Sequence, residues 1–147
     1  MVDSKTKRRD PYKNFRFLVE IDGIIQGGFS DCSGFGSTVE VIEYREGGDA
    51  ATVRKLPGKS SYHDITLKWG VTDSHELYDW HATALAGKVE RRNGSIILQD
   101  DAGLEKVRWN FFSAWPSKYD GPGLSGKGND VAVDTLTLSC ERLERGR

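Results

Sequence analysis

Apolar and polar residues alternate with period two through most of this sequence, and only one stretch departs from that rhythm toward a helical period. Phe15, Phe17, Val19 and Ile21 share one side of an extended chain, and Arg16, Leu18 and Glu20 share the other. A half-buried strand has this pattern. Asp22-Gly23 is a hairpin turn signal, with a short strand expected over 24–26 and a stop at Gly27-Gly28. After the glycine-punctuated turn Ser33-Gly34-Phe35-Gly36 the spacing predicts strands over 38–44 and at Ile65, Leu67 and Trp69, ending at Gly70. Further strands are expected over 95–99, over 104–112 with Val107, Trp109 and Phe111 on one face, and over 131–140 or a little beyond.

The exception is a helix over about 73–86. Leu77, Trp80, His81, Ala84 and Leu85 repeat at i, i+3, i+4, i+7 and i+8, one apolar stripe. Thr72 or Asp73 is placed to cap it, Asp73 and Glu76 have the spacing of a capping box, and Gly87 stands where a C′ glycine belongs. The expected fold is therefore mainly β: an antiparallel barrel or sandwich of about seven or eight strands with one packed helix. With 147 residues, no internal repeat and no composition break, it forms a single domain over 11–147. Residues 1–10, with Lys5, Lys7, Arg8 and Arg9, read as a flexible arm. Glycine, at 17 of 147 positions, exceeds the usual share of about 7%, as many tight turns require.

Two connections exceed the length that ordered loops ordinarily have. Residues 45–62 read REGGDAATVRKLPGKSSY and residues 116–130 read PSKYDGPGLSGKGND. The first mixes both charge signs with Ala51, Val53 and Leu56, so it has apolar surface to bury. A hairpin packing on a neighbouring subunit would explain that mixture, and a floppy insertion fits the composition equally.

Little in the chain has the form of a chemical site. His75 and His81 are six apart, where a zinc-protease helix needs i and i+4, and no cysteine pair has ligand spacing. His81 lies in the apolar stripe and reads as a packing residue with a satisfied nitrogen. No serine sits in a G-x-S-x-G elbow, and Gly34-Phe35-Gly36 lacks the third glycine and following helix of a phosphate loop. Asp100-Asp101 before Ala102-Gly103 are turn residues. No enzymatic activity, cofactor or metal is expected. A net charge of −1 provides no general attraction to nucleic acid or acidic lipid, and no apolar run is long enough to insert in a membrane. Cys32 and Cys140 read as reduced thiols, with a single bridge between them the alternative. Trp69, Trp80 and Trp109 fall in apolar phases, which leaves Trp115 free to act as a binding platform. A monomeric β-sandwich carbohydrate-binding module is the alternative that such a platform would support.

Taken in order, FLVEIDG, GGFSDCSGF, VEVIEYREGG, KLPGKSSYHDITLKWG, LYDWHATALAGKVERRNGSIILQD and VRWNFFSAWPSKYDGPGLSGKGNDVAVDTLTLSCERL resemble the tail tube proteins of contractile phages and of extracellular contractile injection systems. The resemblance spans about 12–143. It implies a structural subunit: six copies form a ring whose inward strands join into one barrel, and rings stack into a hollow tube. The implied partners are further copies of the chain, a tail sheath, baseplate and tail terminator proteins, and DNA or effector protein as cargo in the lumen. The implied setting is the cytoplasm during assembly and a virion tail or injection particle at maturity. In this family the loop after the IEY strand reaches neighbouring subunits and rings. That role falls here on Arg45, Glu46, Gly47, Gly48, Asp49, Val53, Arg54, Lys55, Leu56, Pro57 and Gly58. A secreted type VI needle subunit is the near neighbour, and the IEYREGG–KLPG text favours the phage-tail branch. Lumen-facing strands should be amphipathic. In 131–140 one phase holds Val131, Val133, Thr135, Thr137 and Ser139 and the other Ala132, Asp134, Leu136, Leu138 and Cys140, with the channel side left open.

Overall fold

A computed structural model describes residues 16–24, 28–45, 47–48, 52–128 and 130–146. The expected arm over 1–10 and the expected short strand at Ile25 and Gln26 lie outside these residues, and Ile24 forms only an isolated bridge to Ile21. The described residues form β1 (Arg16–Ile21), β2 (Phe29–Ser33), β3 (Ser37–Tyr44), β4 (Arg54–Tyr62), β5 (Ile65–Gly70), α1 (Glu76–Leu85), β6 (Arg92–Gln99), β7 (Glu105–Asp120), β8 (Val133–Ser139) and β9 (Arg142–Arg145). All strand pairs are antiparallel.

One seven-stranded sheet follows the order β1-β6-β7-β8-β5-β2, with β9 also on β7. It folds on itself along β7. The first part of that strand pairs β6 and β9, and the last part, from Trp115 to Asp120, pairs β8. The core lies between the two halves. Val19, Ile21, Ile96, Phe111 and Leu143 come from one half, and Ile65, Leu67, Trp69, Leu136 and Leu138 from the other. Burial follows the sequence alternation at β1: Val19 and Ile21 are buried, and Arg16, Leu18 and Glu20 are exposed.

β7 corrects the sequence reading. It runs 16 residues, through Pro116 to Asp120, so the expected 116–130 loop begins only after Asp120. Two bulges hide this continuity. Val107 and Phe111 point inward, but Ser113, at φ 54°, inserts an extra residue, and the inward phase moves to Ala114 and Pro116. The Ser113 N–H, displaced from the ladder, donates to Asn93 Oδ1 at 2.9 Å. A second irregularity between Pro116 and Lys118 sets Tyr119 opposite Leu136. Each bulge adds a residue to one strand only and resets the period-two count.

The helix is shorter than expected at its start. It begins at Glu76 with His75 as N-cap and no side-chain cap. Thr72 Oγ1 accepts the Ser74 N–H at 3.3 Å, and the N-cap falls at His75 rather than at Thr72 or Asp73. The C-terminus matches expectation: Gly87 (φ 79°) donates to Ala84 O at 3.1 Å and Lys88 to Thr83 O at 2.8 Å, a Schellman closure. Nothing lies within 4 Å of a Cβ built on Gly87, so Gly87→Ala meets no clash. Its cost is the left-handed backbone alone, expected at about 1 kcal/mol and measurable as a shift in the urea midpoint. Leu77, Trp80 and His81 face the core. The Trp80 indole donates to Glu90 O at 2.7 Å, and His81 Nδ1 donates to Pro116 O at 3.1 Å.

Candidate assembly surface

β3 and β4 form a two-stranded sheet of their own. β2 leads into β3 and β4 into β5, and β2 pairs β5, so the ribbon prolongs an edge of the main sheet beyond the body of the domain. Every residue of β3 is exposed, as are all residues of β4 except Gly58 and Tyr62. Its root is fixed: Phe35 packs on Trp109 at 5.0 Å between ring centroids, His63 N–H donates to Gly36 O at 2.9 Å, and Thr38 Oγ1 lies 2.6 Å from His63 Nε2. Among the described residues, no other strand or helix packs along it beyond the root.

Such a ribbon is marginal in water by itself, because two strands bury too little apolar surface. This one nevertheless presents Val39, Val41, Ile42, Tyr44, Val53 and Leu56 to solvent, with Val41 60% exposed. Ile42 lies opposite Leu56, Val41 opposite Pro57 and Glu43 opposite Lys55. Both faces therefore carry apolar side chains. Pro57 is tolerated because the ribbon strand is an edge, where a missing N–H costs little.

The structure thus divides the 45–62 insertion, expected as one long connection, into a short tip and a regular strand. Arg54, Lys55, Leu56, Pro57 and Gly58 are in β4, Arg45 and Val53 flank the tip, and Gly47 and Gly48 turn within it. Glu46 and Asp49 lie outside the described residues. The insertion supplies the tip and second strand of a hairpin whose first strand is β3. The β3 half was expected as a strand over 38–44 but was not named as part of this surface. Its signal was present: Val39 and Val41 alternate with Ile42 and Tyr44 in opposite phases, a two-sided apolar strand beside strands with one apolar side.

The remaining candidates do not converge on chemistry. Among the described residues no three His, Cys, Asp or Glu side chains gather with metal-binding geometry. His75 is turned to Asp79, with Nδ1 3.3 Å from its carboxylate, while His81 is buried against β7. Asp100 accepts the N–H groups of Ala102 and Leu104, both at 2.9 Å, and the Leu104 bond above all holds its carboxyl below the usual carboxylate range. Burial pushes the Cys32 thiol up to about 12, and chiefly burial raises that of Cys140; both are unpaired. Trp69 and Trp80 are buried, and Trp109 and Trp115 are half-buried, so the tryptophans do not form the exposed row that a sugar platform needs. No helix among the described residues is long and apolar enough to cross a membrane.

The channel question left open by 131–140 has a structural part. Leu136 and Leu138 are fully buried, so Thr135, Thr137 and Ser139 turn outward from β8. Thr66 and Lys68 stand opposite Thr137 and Thr135 on β5, and Ser33 and Asp31 continue the row on β2. One outer face of the sheet is therefore rich in hydroxyls, with the Lys118–Asp120 ion pair at 3.5 Å opposite Thr137 and Thr135. The other, on β1, β6 and β7, carries ion pairs: Arg108 meets Glu105 at 2.7 Å and Glu20 at 3.8 Å.

Known proteins give the geometry its context. A family model described as T4-like virus tail tube protein gp19 matches residues 13–144. No curated protein sequence matches. A chain of the sheath/tube terminator of the extracellular contractile injection system PVC, in its extended state, is similar at 31% identity and TM-score 0.85, covering 95% of this chain and 99% of that one. A chain of the PVC sheath–tube complex is similar at 33% identity and TM-score 0.82, covering 92% and 91%. Hcp1 from Flavobacterium johnsoniae shares the fold alone, at 17% identity and TM-score 0.61 over 88% and 94%.

Proposed function

Because the chain belongs to the T4-like virus tail tube protein gp19 family, we propose that it is the subunit of a hollow tube built from stacked hexameric rings. The observation that carries this reading is the β3–β4 ribbon, which leaves the domain with apolar side chains on both faces that no other described strand or helix covers. Exposed strand edges and apolar ribbons are an aggregation hazard for a monomer. In a ring they become the contacts, closed by symmetry around the ring and repeated along the axis. Arg45, Gly47, Gly48, Val53, Arg54, Lys55, Leu56, Pro57 and Gly58, with the β3 residues opposite, are the inter-subunit contacts in this reading, which on the sequence alone also takes in Glu46 and Asp49.

The hydroxyl-rich face of β8, β5 and β2 suits a channel lining. Threonine and serine hydrogen-bond to water, and the charges among them, Asp31, Lys68 and the Lys118–Asp120 pair, balance in sign, so that the face holds no moving cargo by a strong net charge. The similar PVC chains come from sheath–tube and sheath/tube terminator assemblies. We extend those partners to this chain: a sheath around the tube, a terminator at one end and a baseplate at the other, with DNA or effector protein inside. The subunit would assemble in the cytoplasm and end in a virion tail or injection particle.

Electron microscopy of the purified chain tests this. Rings or stacked tubes with a central hole are the expected result. A species that remains monomeric at every concentration and salt overturns the reading.

A further inference from the structure

We infer that Asn93-Gly94 is a latent self-modification site: Asn93 loses its side-chain amide as ammonia when β6 is unpaired, and the folded domain holds the reaction off. It is the only Asn-Gly pair in the chain; Asn14 and Asn110 precede phenylalanine, and Asn129 precedes Asp130. Water is the only co-reactant. The Gly94 backbone nitrogen bonds to Asn93 Cγ, the Cγ–Nδ2 bond breaks, and the Gly94 amide proton leaves with Nδ2 as ammonia. Water then opens the cyclic imide at one carbonyl or the other. One opening gives aspartate. The other gives isoaspartate, whose main chain runs through Cβ and is one carbon longer. A following glycine favours ring closure, because it has no Cβ to crowd the attack and restricts the backbone least.

The fold uses both residues of this labile pair. Gly94 stands opposite Ile21 on one side and Phe111 on the other, and a Cβ there would overlap the Glu20 carbonyl and the Phe111 ring. Asn93 supplies the acceptor, Oδ1 at 2.9 Å, for the Ser113 N–H that the bulge in β7 displaces from the ladder. Leaving that N–H without a partner would cost stability. A glycine set by packing and an asparagine set by the bulge therefore meet at adjacent positions.

The same contacts protect the amide. Asn93 is exposed, so water reaches it and burial is not the protection. Geometry is. The Asn93 carbonyl accepts the Asp22 N–H at 2.9 Å while the side chain accepts that of Ser113, and β6 is extended between β1 and β7. An extended backbone turns the next nitrogen away from the side chain, so ring closure requires ψ to leave the strand range and both hydrogen bonds to break. The reaction therefore runs through opening of the strand. Its two products then meet the fold differently. Aspartate keeps an oxygen for the Ser113 N–H. Isoaspartate adds a backbone atom beside Gly94, where the Glu20 carbonyl and the Phe111 ring leave no space for one. A chain that stays unfolded thus loses its ability to fold, while the folded chain is sheltered.

Incubation of the full chain at mildly alkaline pH, folded and in parallel in guanidinium chloride, tests this. Peptide mapping by mass spectrometry reads asparagine, aspartate and isoaspartate at each site, before and after refolding by dilution. In denaturant Asn93 is expected to react at least ~10-fold faster than Asn14, Asn110 or Asn129. In the folded chain its rate should fall at least ~100-fold, because a central strand opens rarely. The refolded fraction should contain aspartate at Asn93 and exclude isoaspartate. Asn93→Asp, which carries the shorter product from the start, is expected to keep a urea midpoint close to wild type. That variant separates loss of the amide from lengthening of the main chain. Faster reaction at another asparagine overturns the site, and equal rates in the folded and unfolded chain overturn the protection. Isoaspartate in the refolded domain, or an Asn93→Asp chain that does not fold, overturns the discrimination between products.

Discussion

Replacing Ile42 and Leu56 with glutamate is expected to abolish stacking of the protein while leaving its folded domain intact. Both side chains are about half exposed in the free chain, at 46% and 45%, and they face each other across the ribbon. Losing one cross-strand pair costs the domain only about 0.2–1 kcal/mol. Burying two carboxylates in an apolar contact is a different matter: each forfeits about 1.5–3 kcal/mol of apolar burial and adds the cost of desolvating a charge. The association constant should fall by ~100-fold or more. Electron microscopy, with far-UV circular dichroism as control, would record rings or monomers in place of tubes and an unchanged spectrum. Tubes of normal length would show that the ribbon is not an assembly element.

Phe111→Ala should have the largest effect on the domain itself. Phe111 is fully buried at the centre of β7, where it stands opposite Gly94 of β6 and Leu143 of β9. Gly94 is there because a Cβ would overlap both the Phe111 ring and the Glu20 carbonyl, so the ring lies directly on the backbone. Truncation leaves a cavity that a strand held on both sides cannot collapse into. The expected loss is about 3–5 kcal/mol, a large part of the 5–15 kcal/mol that holds a domain of this kind together. Urea unfolding of unassembled chain would measure it, since association adds stability by mass action and would mask part of the loss. A loss under about 1 kcal/mol would mean that the core around β7 repacks.

The candidate surface was only partly legible beforehand. Length singled out 45–62, and its mixture of charge and apolar residues fitted a hairpin. The strand within it was not visible, because Pro57-Gly58 interrupts any period and a ribbon with two open faces has no buried phase to mark. The continuation of β7 was hidden for a related reason. Its inward residues run Val107, Phe111, then Ala114, Pro116, and each bulge shifts the parity on which a strand is recognised.

What the sequence by itself determined is local. Strict alternation at Phe17–Ile21 and Ile65–Trp69 placed strands with one buried face, the 3.6-residue stripe placed one helix, and Gly87 closed it, because each signal is carried by neighbours a few residues apart. The order of motifs along the chain carried the family. Tertiary structure decided the rest. It chose which hydroxyl-bearing phase of β8 turns outward, because only the packed core says that Leu136 and Leu138 are buried. It set the ribbon at one end of β5 and the exposed Val71, Leu124 and Val131 at the other. Leu124 and Val131 lie more than 60 positions beyond the ribbon's last residue, Tyr62, and no periodicity spans such a distance. Only the pairing of strands brings them into one geometry, because hydrogen bonds between distant strands, and not neighbours in the chain, fix which end of the sheet each occupies.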